Sequence, residues 1–216
     1  MRNSRILSIL FVALLALSLT NLASAKSVKL TYLGHEGYTA IDGSPYIGYP
    51  YFFQVNGQGN VPLLCDSFDN SINLGQTYNY TSSSFLSGIA TSMFGSGMIL
   101  DYKAAGLIFK SMLAGNLDRA QAQWAIWGLF SANAQSNAFF TTIGGAGIDA
   151  TYLALASTAS NSSFNGLLLY TPVGAKPGVG PQEFIGLATP EPTSLMLFGT
   201  GLIAIAGLVR RKVGNA

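Results

Sequence analysis

The chain has 216 residues, of which only 9% are charged and 25 are glycine, with a formal charge of +2. The positive charge sits at the ends, in Arg2, Arg5, Arg210, Arg211 and Lys212 against Glu191, whereas the body from Lys26 to Thr189 has six basic residues against eight acidic ones. No basic cluster is left in the body to neutralise phosphates, which excludes a nucleic-acid partner, and the lack of a Ser-His-Asp triad or a strong carboxylate pair argues against a secreted hydrolase or any other enzyme.

In chain order, Met1 to Arg5 carries two arginines, Ile6 to Leu19 is almost wholly apolar, and Ala23-Ser24-Ala25 presents small side chains. That order predicts a secretory signal peptide over 1–25, cut by signal peptidase after Ala25, with Ala23 and Ala25 as the cleavage-site residues. A retained anchor fits less well, because the apolar run falls short of the roughly 20 residues a bilayer requires.

Residues 26–188 read as one exported α+β domain of mostly antiparallel strands with a central group of two to three helices. Strands are predicted at Lys29–Leu33, Tyr49–Val55, Val61–Phe68 and Gln76–Thr81, with Asn56-Gly57-Gln58-Gly59-Asn60 as a hairpin tip. Helical periodicity follows over Tyr102–Leu113, with Asp101 as its cap, then over Leu117–Phe130 and from Asp149 to about Ala159. Leu167–Tyr170 and Phe184–Leu187 return to strand, separated by a Gly- and Pro-rich loop from Val173 to Gln182.

Residues 189–216 open on Pro190-Glu191-Pro192, continue through an apolar, Gly-containing stretch at 194–209 that is just long enough to cross a bilayer, and close on Arg210-Arg211-Lys212. The three parts in this order resemble the PEP-CTERM sorting signal. The resemblance implies recognition and cutting by an exosortase, an inner-membrane precursor, and a final place on the cell surface or in the extracellular matrix of a Gram-negative, often biofilm-forming bacterium. A simple tail anchor with an incidental Pro-Glu-Pro is the alternative.

Cys65 is the sole cysteine, so in an oxidising compartment it has no partner for an internal disulfide. It lies too deep to be a lipoprotein cysteine, and with a single histidine in the chain the sequence offers no four-ligand metal site, so neither metal nor cofactor is expected. The remaining chemistry is acyl transfer within the chain: a thiolate attacks a glutamine side-chain carbonyl, ammonia leaves, and a thioester forms. A glutamine suited to this role stands in Ala122-Gln123-Trp124-Ala125-Ile126-Trp127, where Gln123 and Trp127 share a helix face.

The pairing of a strand cysteine with a helix reading Gln-x-x-Ile-Trp is similar to the thioester domains of bacterial surface adhesins. That resemblance implies that Cys65 and Gln123 are the bonded pair, that Ile126 and Trp127 shield the bond, and that a nucleophile on an extracellular protein or polysaccharide target opens it. Leu64 and Asp66 depart from the aromatic and apolar residues that usually flank the adhesin cysteine. A buried free thiol and an intermolecular disulfide are the other readings of Cys65; a non-reactive matrix or biofilm component is the other reading of the protein. His35 could assist as a base but reads as solvated, and Asp66 and Asp69 near Asn70 and Asn73 read as a solvated turn rather than a calcium loop.

Overall fold

The computed structural model describes residues 25–39, 45–188 and 200–201. The chain divides into two units, Met1–Gly186 and Leu187–Ala216. Residues 1–24 of the expected signal peptide, Ala23 among them, the sorting residues Pro190, Glu191, Pro192, Arg210, Arg211 and Lys212, and nearly all of the apolar stretch at 194–209 lie outside the described residues. Among the described residues no helix is long and apolar enough to cross a membrane.

The described part of the first unit is α+β. Its strands are β1 (Lys26–Thr39), β2 (Pro45–Val55), β3 (Gln58–Cys65), β4 (Thr77–Ser84), β5 (Leu167–Pro172) and β6 (Phe184–Leu187). They close into a barrel in the order β1-β2-β3-β6-β5-β4. Each pairing with a resolved register is antiparallel, including β1 with β4, which closes the ring. Closure removes the exposed strand edges that an open sheet would leave to aggregate.

The turn between β2 and β3 is tighter than the predicted five-residue tip. Val55 pairs with Gln58, leaving Asn56 and Gly57 as the two turn residues, at φ 53° and 77°. Both lie in the left-handed region that an Asn-Gly hairpin turn needs. The Asn56 side-chain oxygen also accepts from the Lys29 main-chain N–H at 2.9 Å, tying the turn to β1.

Between β4 and β5 come six α-helices among the described residues: α1 (Phe85–Gly88), α2 (Ile99–Leu113), α3 (Arg119–Phe130), α4 (Ala132–Gln135), α5 (Ala138–Thr142) and α6 (Gly145–Thr158). Two expected helix starts shift. Asp101 sits in the first turn of α2 rather than at its cap, which is Met98, because a 3-10 turn over Ser96–Met98 leads straight into the helix. Asp149 lies one turn inside α6 and is buried. By contrast α3 has a full capping box: the Asp118 carboxylate accepts from the Ala120 N–H at 2.7 Å, and the Asp118 N–H donates to Gln121.

Every position of α3 from Ala122 to Leu129 is buried, the pattern of a helix packed on several sides. Two cores explain it. Trp124 and Trp127 join the barrel interior with Leu30, Tyr32, Tyr51, Phe53, Leu63, Cys65 and Phe184. Ala122, Ala125, Ile126 and Leu129 join a second core with Leu64, Phe85, Tyr102, Ile108, Phe109 and Ile185. Strand alternation makes the same division: Leu63 and Cys65 turn into the barrel, and Leu64 between them turns toward the helices. At Gly128 an added Cβ would stand 2.3 Å from the Phe140 ring and 2.8 Å from an Asp149 oxygen, so only glycine allows α5 and α6 to approach α3 this closely.

Candidate functional site

β3 ends at Cys65 instead of running to Phe68. Leu64 and Cys65 pair with Ile185 and Phe184 of β6, and the Asp66 N–H continues that ladder to the Glu183 carbonyl at 3.2 Å. β2 pairs β3 only as far as Leu63, which leaves the Cys65 carbonyl to a partner from α3. That partner is Gln123, whose side-chain amide donates to the Cys65 main-chain oxygen at 2.6 Å.

Cys65 and Gln123 are both fully buried. A buried glutamine is uncommon unless all its polar atoms are satisfied, yet the Gln123 carbonyl oxygen has no hydrogen-bond partner. The Cys65 sulfur has weak contacts to Ser67, 3.6 Å from its carbonyl oxygen and 4.0 Å from its hydroxyl. Burial pushes the Cys65 thiol up to about 12, and the neighbouring Asp66 adds to this, while the Trp127 indole N–H and Ser67 pull the other way. Burial thus favours the protonated thiol over the activated thiolate that acyl transfer suggests.

The two expected shielding residues part company. Trp127, 3% exposed, lies in the core that holds Cys65, with its ring 5.1 Å from Phe68 and 5.2 Å from Trp124. Ile126 turns into the helical core instead. Phe68 and Trp124 complete the aromatic cover on this side.

The expected solvated turn after Cys65 is a set of buried or latched polar groups. Asp66 is fully buried, no donor reaches either of its carboxyl oxygens, and its own carboxyl hydrogen-bonds to Glu183. Asp69 accepts from Ser131 at 2.7 Å and Asn133 at 2.8 Å, and the Asn70 amide donates to the carbonyls of Lys176 and Gly180. Glu183 is also fully buried, and its carboxylate accepts from the Tyr102 hydroxyl, the Thr171 hydroxyl at 2.6 Å and the Met93 N–H at 2.9 Å. Burial, then the adjacent Glu183, hold the Asp66 carboxyl well above the usual carboxylate range. His35 is exposed yet not free, with Nδ1 2.5 Å from the Tyr32 hydroxyl.

Among the described residues no group of three or more His, Cys, Asp or Glu is placed to hold a metal ion. A cavity of about 590 Å³ lies along α3, α5 and α6, with Asp101 and Asp149 among its walls. Burial, reinforced by Asp101, pushes the Asp149 carboxyl up to about 7. Its unfolded value is near 4, so the folded state binds this proton more tightly. The contribution is fully present below about pH 4 and is lost as the pH rises toward 7. Asp149→Asn is expected to flatten that part of the stability profile, read from urea midpoints at about pH 5 and about pH 8.

Residues 188–212 match the family model of the PEP-CTERM protein-sorting motif. The motif implies an exported, membrane-anchored precursor that is processed by an exosortase. Among solved structures, the chain is similar to the N-terminal thioester domain of a surface protein from Clostridium perfringens, at 13% identity. The match covers 74% of this chain and 98% of that one with a TM-score of 0.40, a likeness too distant to transfer chemistry. No curated protein matches the chain.

Proposed function

We propose that this protein is a surface-sorted interaction or adhesion protein of a Gram-negative bacterium, and that Cys65 and Gln123 join in an internal thioester through which it binds its target covalently. The supporting observation is the contact itself: a fully buried glutamine with an orphaned carbonyl oxygen, its amide 2.6 Å from the main chain of the sole cysteine, inside a sealed core. Closing the bond joins the Cys65 sulfur to the Gln123 side-chain carbon and releases ammonia. A target amine or hydroxyl then displaces the thiol and remains attached through Gln123.

Incubation with methylamine tests this reading: one methylamine is expected at Gln123, with one thiol freed at Cys65. A protein that takes up none in the native state, but shows a titratable thiol on unfolding, would favour a non-reactive component of extracellular matrix. The protonated, deeply buried thiol is the observation that fits this second reading.

Sorting has its own test. Replacing Pro190 and Pro192, or deleting Arg210 to Lys212, is expected to leave the full-length precursor in the inner membrane, seen as loss of the shorter processed band on immunoblots of cell fractions. Unchanged processing in these variants would contradict the sorting role.

A further inference from the structure

The thioester reading leaves a proton unassigned. Forming the bond breaks the Cys65 S–H and the Gln123 C–N bonds and makes an S–C and an N–H bond, so the thiol proton has to reach the departing ammonia. A thiol raised to about 12 does not release it to solvent at neutral pH, and water is excluded from a site in which both residues are fully buried.

Asp66 stands next to this gap. The Gln123 amide binds the carbonyl of the Cys65–Asp66 peptide unit, so covalent geometry alone keeps the Asp66 carboxyl carbon within about 8 Å of the Gln123 amide nitrogen. The Gln123 carbonyl oxygen is buried without a hydrogen-bond partner, which folding penalises; no donor reaches the Asp66 oxygens, and the protonated Asp66 carboxyl instead hydrogen-bonds to Glu183. Glu183, by contrast, has three donors on its carboxylate. Of two adjacent buried carboxyls, Glu183, with its three donors, therefore keeps the negative charge and Asp66 keeps the proton.

Resting on the thioester reading, we propose that Asp66 is the proton-relay residue for closing the Cys65–Gln123 bond, with the Glu183 carboxylate holding it in the acid form. By rotation of its side chain Asp66 gives its proton to the Gln123 nitrogen as ammonia leaves, and recovers the proton that Cys65 gives up as the S–C bond forms. The charge balance is unchanged and no other reactant is needed. The titratable groups around Asp66 are Glu183 just before β6, Tyr102 on α2, Tyr80 on β4 and Cys65 itself.

The test starts from the full chain as purified. Ammonia opens the bond and restores the Gln123 amide and the Cys65 thiol; after its removal, re-closure is followed by intact mass across a pH series. Asp66→Asn, which keeps the shape of the neutral acid, is expected to slow re-closure at least about 100-fold, the range of general acid-base effects, with an unchanged melting temperature. In the wild type the rate is expected to fall at alkaline pH as Asp66 loses its proton, and Asp66→Asn is expected to lose that limb. Glu183→Gln is expected to move the same limb to a different pH. Re-closure of Asp66→Asn at the wild-type rate, or a slower rate with the wild-type pH profile, overturns the relay while leaving the thioester standing. A wild-type protein that never loses ammonia overturns both.

Discussion

Cys65→Ala and Gln123→Ala are each expected to abolish uptake of methylamine completely, while a Cys65→Ser control keeps the fold and shows the same loss. The two effects separate because the chemistry needs both residues whereas the fold needs neither side chain's reactivity. Cys65→Ala removes one sulfur from a packed interior, a modest loss. Gln123→Ala removes the donor to the Cys65 carbonyl, leaving a buried acceptor open at a cost of about 1–3 kcal/mol, but it also deletes the orphaned Gln123 oxygen, which offsets part of that. Circular dichroism and urea midpoints measure the fold, and mass spectrometry after methylamine treatment measures the chemistry. Full methylamine uptake by Gln123→Ala would mean that another carbonyl is the acyl group.

Trp127→Ala is expected to have the largest effect on stability, about 3–5 kcal/mol, the range for emptying a large aromatic site in a core. Trp127 is 3% exposed and packs against both Phe68 and Trp124, so its removal opens a channel beside Cys65 that the neighbouring rings cannot fill. The same opening admits water, and a thioester formed there should hydrolyse faster, seen as a Cys65 thiol that becomes titratable over time in native buffer. Trp127→Phe keeps most of the volume and is expected to recover most of the stability and the slow hydrolysis. Equal thiol exposure in wild type, Trp127→Phe and Trp127→Ala would show that Trp127 has only a packing role.

Local periodicity was enough to place most elements. The β2 and β3 runs, the Asn-Gly turn and the α2 and α3 segments all follow from residue spacing, and the motif pointed to the two residues, Cys65 and Gln123, that meet through a hydrogen bond to the Cys65 main chain. Barrel closure could not, because it depends on pairings such as Leu64 with Ile185 and Tyr80 with Pro172, which no short window contains. The placement of Ile126 in the helical core was hidden for a related reason: helix spacing shows that α3 is apolar on several faces but not which face meets which core.

The polar residues after Cys65 were the hardest to read. Asp66 and Asp69 in a short polar run resemble a solvated turn, and only the fold brings Glu183, Ser131 and Asn133 to them. The capping box at Asp118 and Gln121, in contrast, had a local signature in the Asp-x-x-Gln spacing and was available to the sequence.

The most direct test of the covalent account is the intact mass of the freshly purified wild-type protein, paired with thiol titration after unfolding in acid. The account predicts a mass one ammonia below that of the processed chain, no titratable thiol, and a cross-linked peptide containing Cys65 and Gln123 after digestion. A mass equal to the unmodified chain, with one thiol titrating on unfolding, would contradict it.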